Sequence, residues 1–158
     1  MIFVYDDKFS KAERIGRKFW YDFVRSELDE ELEYIHFTTS RYDKVDGYMK
    51  LKSYDKPITF EIKRRNINSE TYKKEGYILE KTKYNALNPI LETDNYGWYI
   101  NIFDDCIKIW DVSTLSPTFQ IKYCTNTTVE DYEKGSTPKL VHLITEEEKP
   151  IYTINITN

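Results

Sequence analysis

No apolar run in this chain approaches the roughly 18 residues that a membrane-spanning helix needs, so no membrane association is expected. The opening Met1-Ile2-Phe3-Val4-Tyr5 is too short for the core of a secretory signal, and Asp6-Asp7 follows it at once. A cytoplasmic location is therefore expected. Cysteine is scarce. Cys106 and Cys124 are too few for a disulfide scaffold and are expected as buried thiols. Histidine is equally scarce, and His36 and His142 have neither zinc-ligand spacing nor a nucleophile beside them. A Walker loop, a dinucleotide fingerprint and a Gly-x-Ser-x-Gly elbow are all missing. Internal repeats and low-complexity linkers are missing too. Positive charge in bulk is also absent. A formal net charge of -4 argues against a protein that coats nucleic acid by overall charge. It leaves open carboxylates that bind cations and local basic clusters that meet phosphate.

What is present is an ordinary soluble balance, 40% hydrophobic and 32% charged, over 158 residues. That length predicts a single domain, residues 1–158, able to bury its own core. Tyrosine is abundant at 14 residues, and its flat body with a polar tip suits half-buried strands and contact surfaces equally.

The pattern predicts a helix from Ser10 to about Leu32, with Ser10 as N-cap, Glu13 completing a capping box, and an apolar stripe of Ala12, Ile15, Phe19 and Phe23. Strands are expected at Tyr34 to Thr39, Val45 to Lys52 and Ile58 to Arg64. A second helix is expected from Ser69 to Leu87, ended by Asn88-Pro89. Strands at Trp98 to Phe103 and Cys106 to Val112 flank an Asp104-Asp105 turn. Three more follow at Thr118 to Tyr123, Lys139 to Ile144 and Ile151 to Ile156. Helix, three strands, helix, then several strands is the order of an α/β or α+β domain.

Chemistry concentrates at Glu61-Ile62-Lys63. Residues two apart on a strand share a side, so a carboxylate and an ammonium stand together while Phe60 and Ile62 face the core. Phosphodiester hydrolysis uses such a pair: the carboxylate holds a metal ion, and the lysine orients water or stabilises transition-state charge. The plainer alternative is a charged pair on an exposed sheet face. A second Glu-x-Lys, Glu147-Glu148-Lys149, lies in a polar turn and is expected to be solvated. Asp46 lies 15 residues before Glu61, across a predicted hairpin that would bring the two together. Two carboxylates and a main-chain carbonyl, from Ile62, would give a Mg2+ or Mn2+ site of hard oxygen ligands.

The segments Arg41-Tyr42-Asp43-Lys44-Val45-Asp46-Gly47-Tyr48 and Thr59-Phe60-Glu61-Ile62-Lys63-Arg64-Arg65 resemble the Asp … Glu-x-Lys signature of PD-(D/E)XK nucleases, closest to small phage or bacterial members. The likeness spans roughly Ser10 to Val112, with Val45 where the signature proline would stand. It implies a restriction-endonuclease-like core, a mixed central sheet flanked by helices, with extra C-terminal β-strands. It also implies a metal-dependent nuclease acting on DNA in repair, recombination or phage biology, with Asp46 and Glu61 as ligands and Lys63 as catalytic lysine. RNA is the alternative substrate. A homodimer would suit duplex cutting, though no interface is legible. Asp43 is the rival for the aspartate role.

Lys83 interrupts the stripe Tyr72, Gly76, Leu79, Leu87 and Ile90, and could reach into the carboxylate site or snorkel to water. Related nucleases often carry a lysine or tyrosine on the helix after Glu-x-Lys, which Lys83-Tyr84 resembles. They also often place an acid on the first helix, which would be Asp22 or, less simply, Glu13. Arg64 and Arg65, with Lys73 and Lys74, form the densest basic cluster; the two arginines are expected to contact phosphate, and the lysines are expected on a solvated charged face. Trp98, Tyr99 and Trp110 are expected in the core more than on a base-stacking surface. The alternative to an enzyme is a catalytically inactive nuclease-fold module that binds protein or nucleic acid.

Overall fold

The structure is a computed structural model that describes residues 11–40, 42–73, 76–89, 94–125 and 135–156. Its first helix, α1, is Lys11–Glu27. Strands β1 (Leu32–Phe37), β2 (Gly47–Leu51) and β3 (Ile58–Arg64) follow. A short helix α2 (Ser69–Lys73), strand β4 (Tyr77–Glu80) and helix α3 (Lys81–Leu87) come next. The remainder is β5 (Tyr96–Ile102), β6 (Cys106–Asp111), a 3-10 turn at Val112–Thr114, β7 (Gln120–Thr125), β8 (Ser136–Ile144) and β9 (Tyr152–Asn155). The fold is mixed α+β with few helices.

The central sheet runs β1-β2-β3-β5-β6-β9, and β4-β8-β7 form a second sheet. Among the described residues only β3 and β5 pair in parallel; the other pairs of the central sheet are antiparallel. Parallel neighbours need a crossover connection. Here α2, β4 and α3 supply it.

Both faces of the central sheet are buried, and strand alternation divides them. Ile58, Phe60 and Ile62 of β3 join Trp98, Ile100 and Ile102 of β5 under Trp20 and Val24 of α1. Tyr99 and Trp110 point the other way, into a cluster with Leu79, Leu87 and Ile144. The base-stacking role for Trp98, Tyr99 and Trp110 falls away, because all three are core. Cys106 is a buried free thiol, as expected, whereas Cys124 is free but only half-buried. No helix among the described residues is long and apolar enough to cross a membrane.

Three expectations need correction. First, α1 stops at Glu27 rather than Leu32. Asp29, Glu30 and Glu31 crowd a helix C-terminus, where the dipole disfavours anions. Ser10, the expected cap, lies outside the described residues. Second, the buried face of α1 is Gly16, Arg17, Trp20 and Val24. Ile15 is exposed, and Phe19 and Phe23 pack only at the rim. Trp20 offers more apolar area than Ile15 and takes the central position. Third, the helix expected over Ser69 to Leu87 is broken. Gly76 has φ +79, a left-handed conformation that ends a helix. Tyr77-Ile78-Leu79-Glu80 then pairs with β8 instead of continuing. Lys74 and Ile90 lie outside the described residues.

The start of α2 is fixed from a distance. Asp105 accepts from the Ser69 N–H at 2.7 Å and from the Ser69 hydroxyl at 2.6 Å. Burial works against its charge, but these hydrogen bonds outweigh it and hold the carboxyl below its ordinary 3.8. A carboxylate with a depressed folded pKa contributes stability above the unfolded value and loses it as pH falls through the folded one. Asp105→Ala is expected to cost about 1 kcal/mol at pH 7. In urea titrations the gap between variant and wild type should close as pH falls below about 3.8. A gap that persists in acid would show that the carboxylate charge contributes nothing.

Candidate functional site

The β2–β3 ladder ends at Gly47 opposite Phe60, and one further step would set Asp46 opposite Glu61. There the strands part. The Ile62 N–H, which has lost its β2 partner, donates to Asp46 Oδ2 at 2.7 Å. The carboxylate of Asp46 therefore sits in the opening between the strands, beside the Glu-x-Lys segment. A residue's N–H and C=O point to the same side of a strand. The Ile62 carbonyl is directed toward that same opening.

Glu61 is 3% exposed, so the exposed surface pair is excluded. Its Oε1 lies 3.0 Å from Lys63 Nζ and 3.0 Å from Lys83 Nζ. Its Oε2 is buried with no hydrogen-bond partner among the described residues. Burial, and next the negative charge of Asp46, push the Glu61 pKa up; the two ammonium groups pull against them. Burial opposes the charge on Lys63, but Glu61, with help from Tyr99, Asp46 and Glu80, outweighs it, and the Lys63 pKa is raised. Lys63 is thus held protonated, a hydrogen-bond donor and a positive charge rather than a base.

Lys83 arrives by a route the sequence did not suggest. It lies in the first turn of the short helix α3, not midway along a long one, and it also donates to the Lys44 carbonyl at 3.0 Å. Glu80, just before α3, is close enough for Lys63 and Lys83 to lower its pKa against the effect of burial, aided by a 3.0 Å bond from Lys139.

Arg17 is the residue that pattern reading missed. It is 4% exposed and donates to Asp46 Oδ1 from Nε at 3.0 Å and from Nη2 at 2.7 Å. It also binds the Thr38 carbonyl at 2.5 Å. On the sequence it looks like any helix arginine. Only its position on the Trp20 face, three residues before Trp20, could have marked it. Removing one partner of a buried ion pair leaves the other uncompensated. Arg17→Ala is expected to cost about 3 kcal/mol in urea denaturation. A loss below about 1 kcal/mol, the range of exposed pairs, would place Asp46 in water.

The remaining predicted residues divide. Asp43 stays in an exposed turn, its carboxylate accepting from the Ser40 N–H at 2.9 Å, and is not brought to Glu61. Asp22 is not brought there either. It pairs with Lys18 on the exposed side of α1, because two residues past Trp20 is about 200° around the helix. Glu13, not Asp22, lines a cleft of about 120 Å³ with Ile62, Lys63, Arg64 and Arg65. Both arginines are engaged within the fold. Arg64 bonds Asp104 at 2.7 Å and the Ile102 carbonyl at 3.1 Å. Arg65 reaches Asn101 and Tyr99, each at 3.3 Å, and stacks on Tyr72. Lys73 pairs with Glu146 at 2.9 Å. The Glu147-Glu148-Lys149 turn is not wholly solvated, since Glu148 binds His142 Nε2 at 2.8 Å.

The donor set can be tested against a divalent cation. Among the described residues no three His, Cys, Asp or Glu side chains converge on one point. What the structure sets near one another is Glu61 and Asp46, whose charge raises the Glu61 pKa, beside the opening that the Ile62 carbonyl faces. Mg2+ typically takes one or two protein carboxylates and keeps several waters, so this set fits. The unpartnered Glu61 Oε2 is the observation that favours it, because a buried carboxylate oxygen without a partner is costly. Arg17 already occupies Asp46 Oδ1 and would share that carboxylate with a cation.

No family model matches the chain, and neither a curated protein nor a solved structure matches it.

Proposed function

We propose that this protein is a divalent-metal-dependent nuclease that hydrolyses phosphodiester bonds in DNA, built on a restriction-endonuclease-like core. The observation that carries the reading is the buried Glu61 carboxylate, with two ammonium groups on one oxygen and no partner on the other. Asp46, Glu61 and the Ile62 carbonyl would hold Mg2+ or Mn2+. Bound there, the ion would lower the pKa of a coordinated water and neutralise phosphoryl charge. Lys63, kept protonated, donates toward the charge that develops on the phosphoryl oxygens. Lys83 supplies a second positive charge and ties α3 to the site. Arg17 orients Asp46 from behind. Water adds across one P–O bond: a new O–P bond forms, the ester P–O bond breaks, and the leaving oxygen takes a proton. A cytoplasmic role in DNA repair, recombination or phage biology accords with this chemistry, and RNA is the alternative substrate.

The second reading is an inactive nuclease-fold module that works by binding. One observation favours it. Arg17, Lys63 and Lys83 already outnumber Asp46 and Glu61, so the cluster is charge-compensated without a metal. The deciding experiment incubates single-stranded, duplex and branched DNA with the protein across a Mg2+ and Mn2+ titration. Cleavage that needs metal and disappears in Glu61→Gln supports the enzyme. Binding without cleavage of any substrate supports the module.

A further inference from the structure

The β4-β8-β7 sheet supplies none of the Asp46, Glu61, Lys63 and Lys83 cluster. Yet this sheet borders the site. Glu80 ends β4, feels the charges of Lys63 and Lys83, and takes a 3.0 Å bond from Lys139 of β8. The same Glu80 lines a groove of about 370 Å³ between α3 and β8, together with Lys81, Thr82, Asn85, Lys139 and Leu140. That volume falls within the roughly 300–1,000 Å³ of clefts that hold ligands.

The charge in and around the groove runs against the charge of the chain. The whole protein carries -4. The groove walls carry Lys81 and Lys139 against Glu80. Lys122 of β7 sits directly across from Lys139, on the same face of the sheet. Lys81 lies 5.6 Å over the Phe119 ring, which supports its stem without neutralising it. Thr82 and Asn85 add neutral hydrogen-bonding groups to the wall. Glu80, close enough to feel Lys63 and Lys83 and bonded to Lys139, is what joins this groove to the Glu61 cluster.

We infer that this groove carries the phosphate backbone of the nucleic-acid strand on one side of the scissile bond, with Lys81, Lys122 and Lys139 as its phosphate contacts. The inference rests on the nuclease reading for the strand's destination, but its contacts are electrostatic and need no catalysis. Phosphate contacts position a strand without reading its sequence. Each lysine that replaces a counterion adds roughly 0.7 to 0.9 to the slope of log K against log salt.

The test uses Lys81→Ala/Lys122→Ala, whose side chains lie outside the Glu61 cluster, and separately Lys139→Ala, with circular dichroism as the folding control. Binding of a fluorescein-labelled DNA, single-stranded and duplex, is measured in EDTA over a KCl series. In parallel, kcat and KM for cleavage are measured in Mn2+. The double variant should lose about 1.5 from the salt slope. Its KM should rise severalfold while kcat stays within about twofold. Wild type that binds in this way but never cleaves upholds the groove and removes the catalytic reading. Wild type that cleaves, with slope and KM unchanged in both variants, overturns the groove alone. Wild type that binds neither DNA overturns both.

Discussion

Lys63→Ala is expected to lower metal-dependent DNA cleavage by roughly a hundredfold or more while leaving the protein folded. Lys63 sits on the face of β3 opposite Phe60 and Ile62, so its loss opens no cavity in the apolar layer under α1. Glu61 keeps Lys83 at 3.0 Å, so its buried carboxylate is not left without a cation. What disappears is a donor held in its charged form, which the nuclease reading sets beside the reacting phosphate. Glu61→Ala should be inactive by another route, through lost metal affinity, and added Mn2+ should restore part of its activity. Added Mn2+ should not restore Lys63→Ala. Equal turnover in Lys63→Ala and wild type would remove Lys63 from the chemistry.

The largest effect on stability is expected at Gly97. In β5 this residue pairs with Thr59, and the end of α3 rests directly on it. A Cβ at this position would lie 1.9 Å from the Leu87 carbonyl oxygen and 2.9 Å from Val112 Cγ2. Backbone is met on one side and packed core on the other, so neither can yield cheaply. Gly97→Ala should cost on the order of 4 kcal/mol or more. Urea denaturation reads this directly. The result also bears on function, because the docked α3 is what delivers Lys83 to Glu61. A midpoint equal to wild type would mean that α3 does not rest on β5, and the placement of Lys83 would lose its support.

Much of this arrangement was legible in the sequence, for identifiable reasons. The alternation Ile58, Phe60, Ile62 against Thr59, Glu61, Lys63 marks β3 and puts Glu61 beside Lys63 without any tertiary knowledge. Asp46 could be preferred to Asp43 because it directly precedes the alternating strand. Other features could not be read locally. Tyr77-Ile78-Leu79-Glu80 fits a helical stripe as well as a strand, and only pairing with β8, more than fifty residues later, decides between them. Lys83 does reach Glu61, but from a short helix rather than from the expected stripe. Arg17 carries no local mark, because its value comes from Asp46 and Thr38 across the fold. Two neighbouring apolar stripes on α1 competed, and the larger Trp20 won.

The central claim is that Asp46, Glu61 and the Ile62 carbonyl hold a divalent cation. An anomalous difference map from a crystal of the wild-type protein soaked in Mn2+ tests it most directly. The account predicts a peak between the Asp46 and Glu61 carboxylates, absent from Glu61→Gln crystals treated in the same way. A wild-type map with no peak there at millimolar Mn2+, and Lys63 and Lys83 still on Glu61, would contradict it.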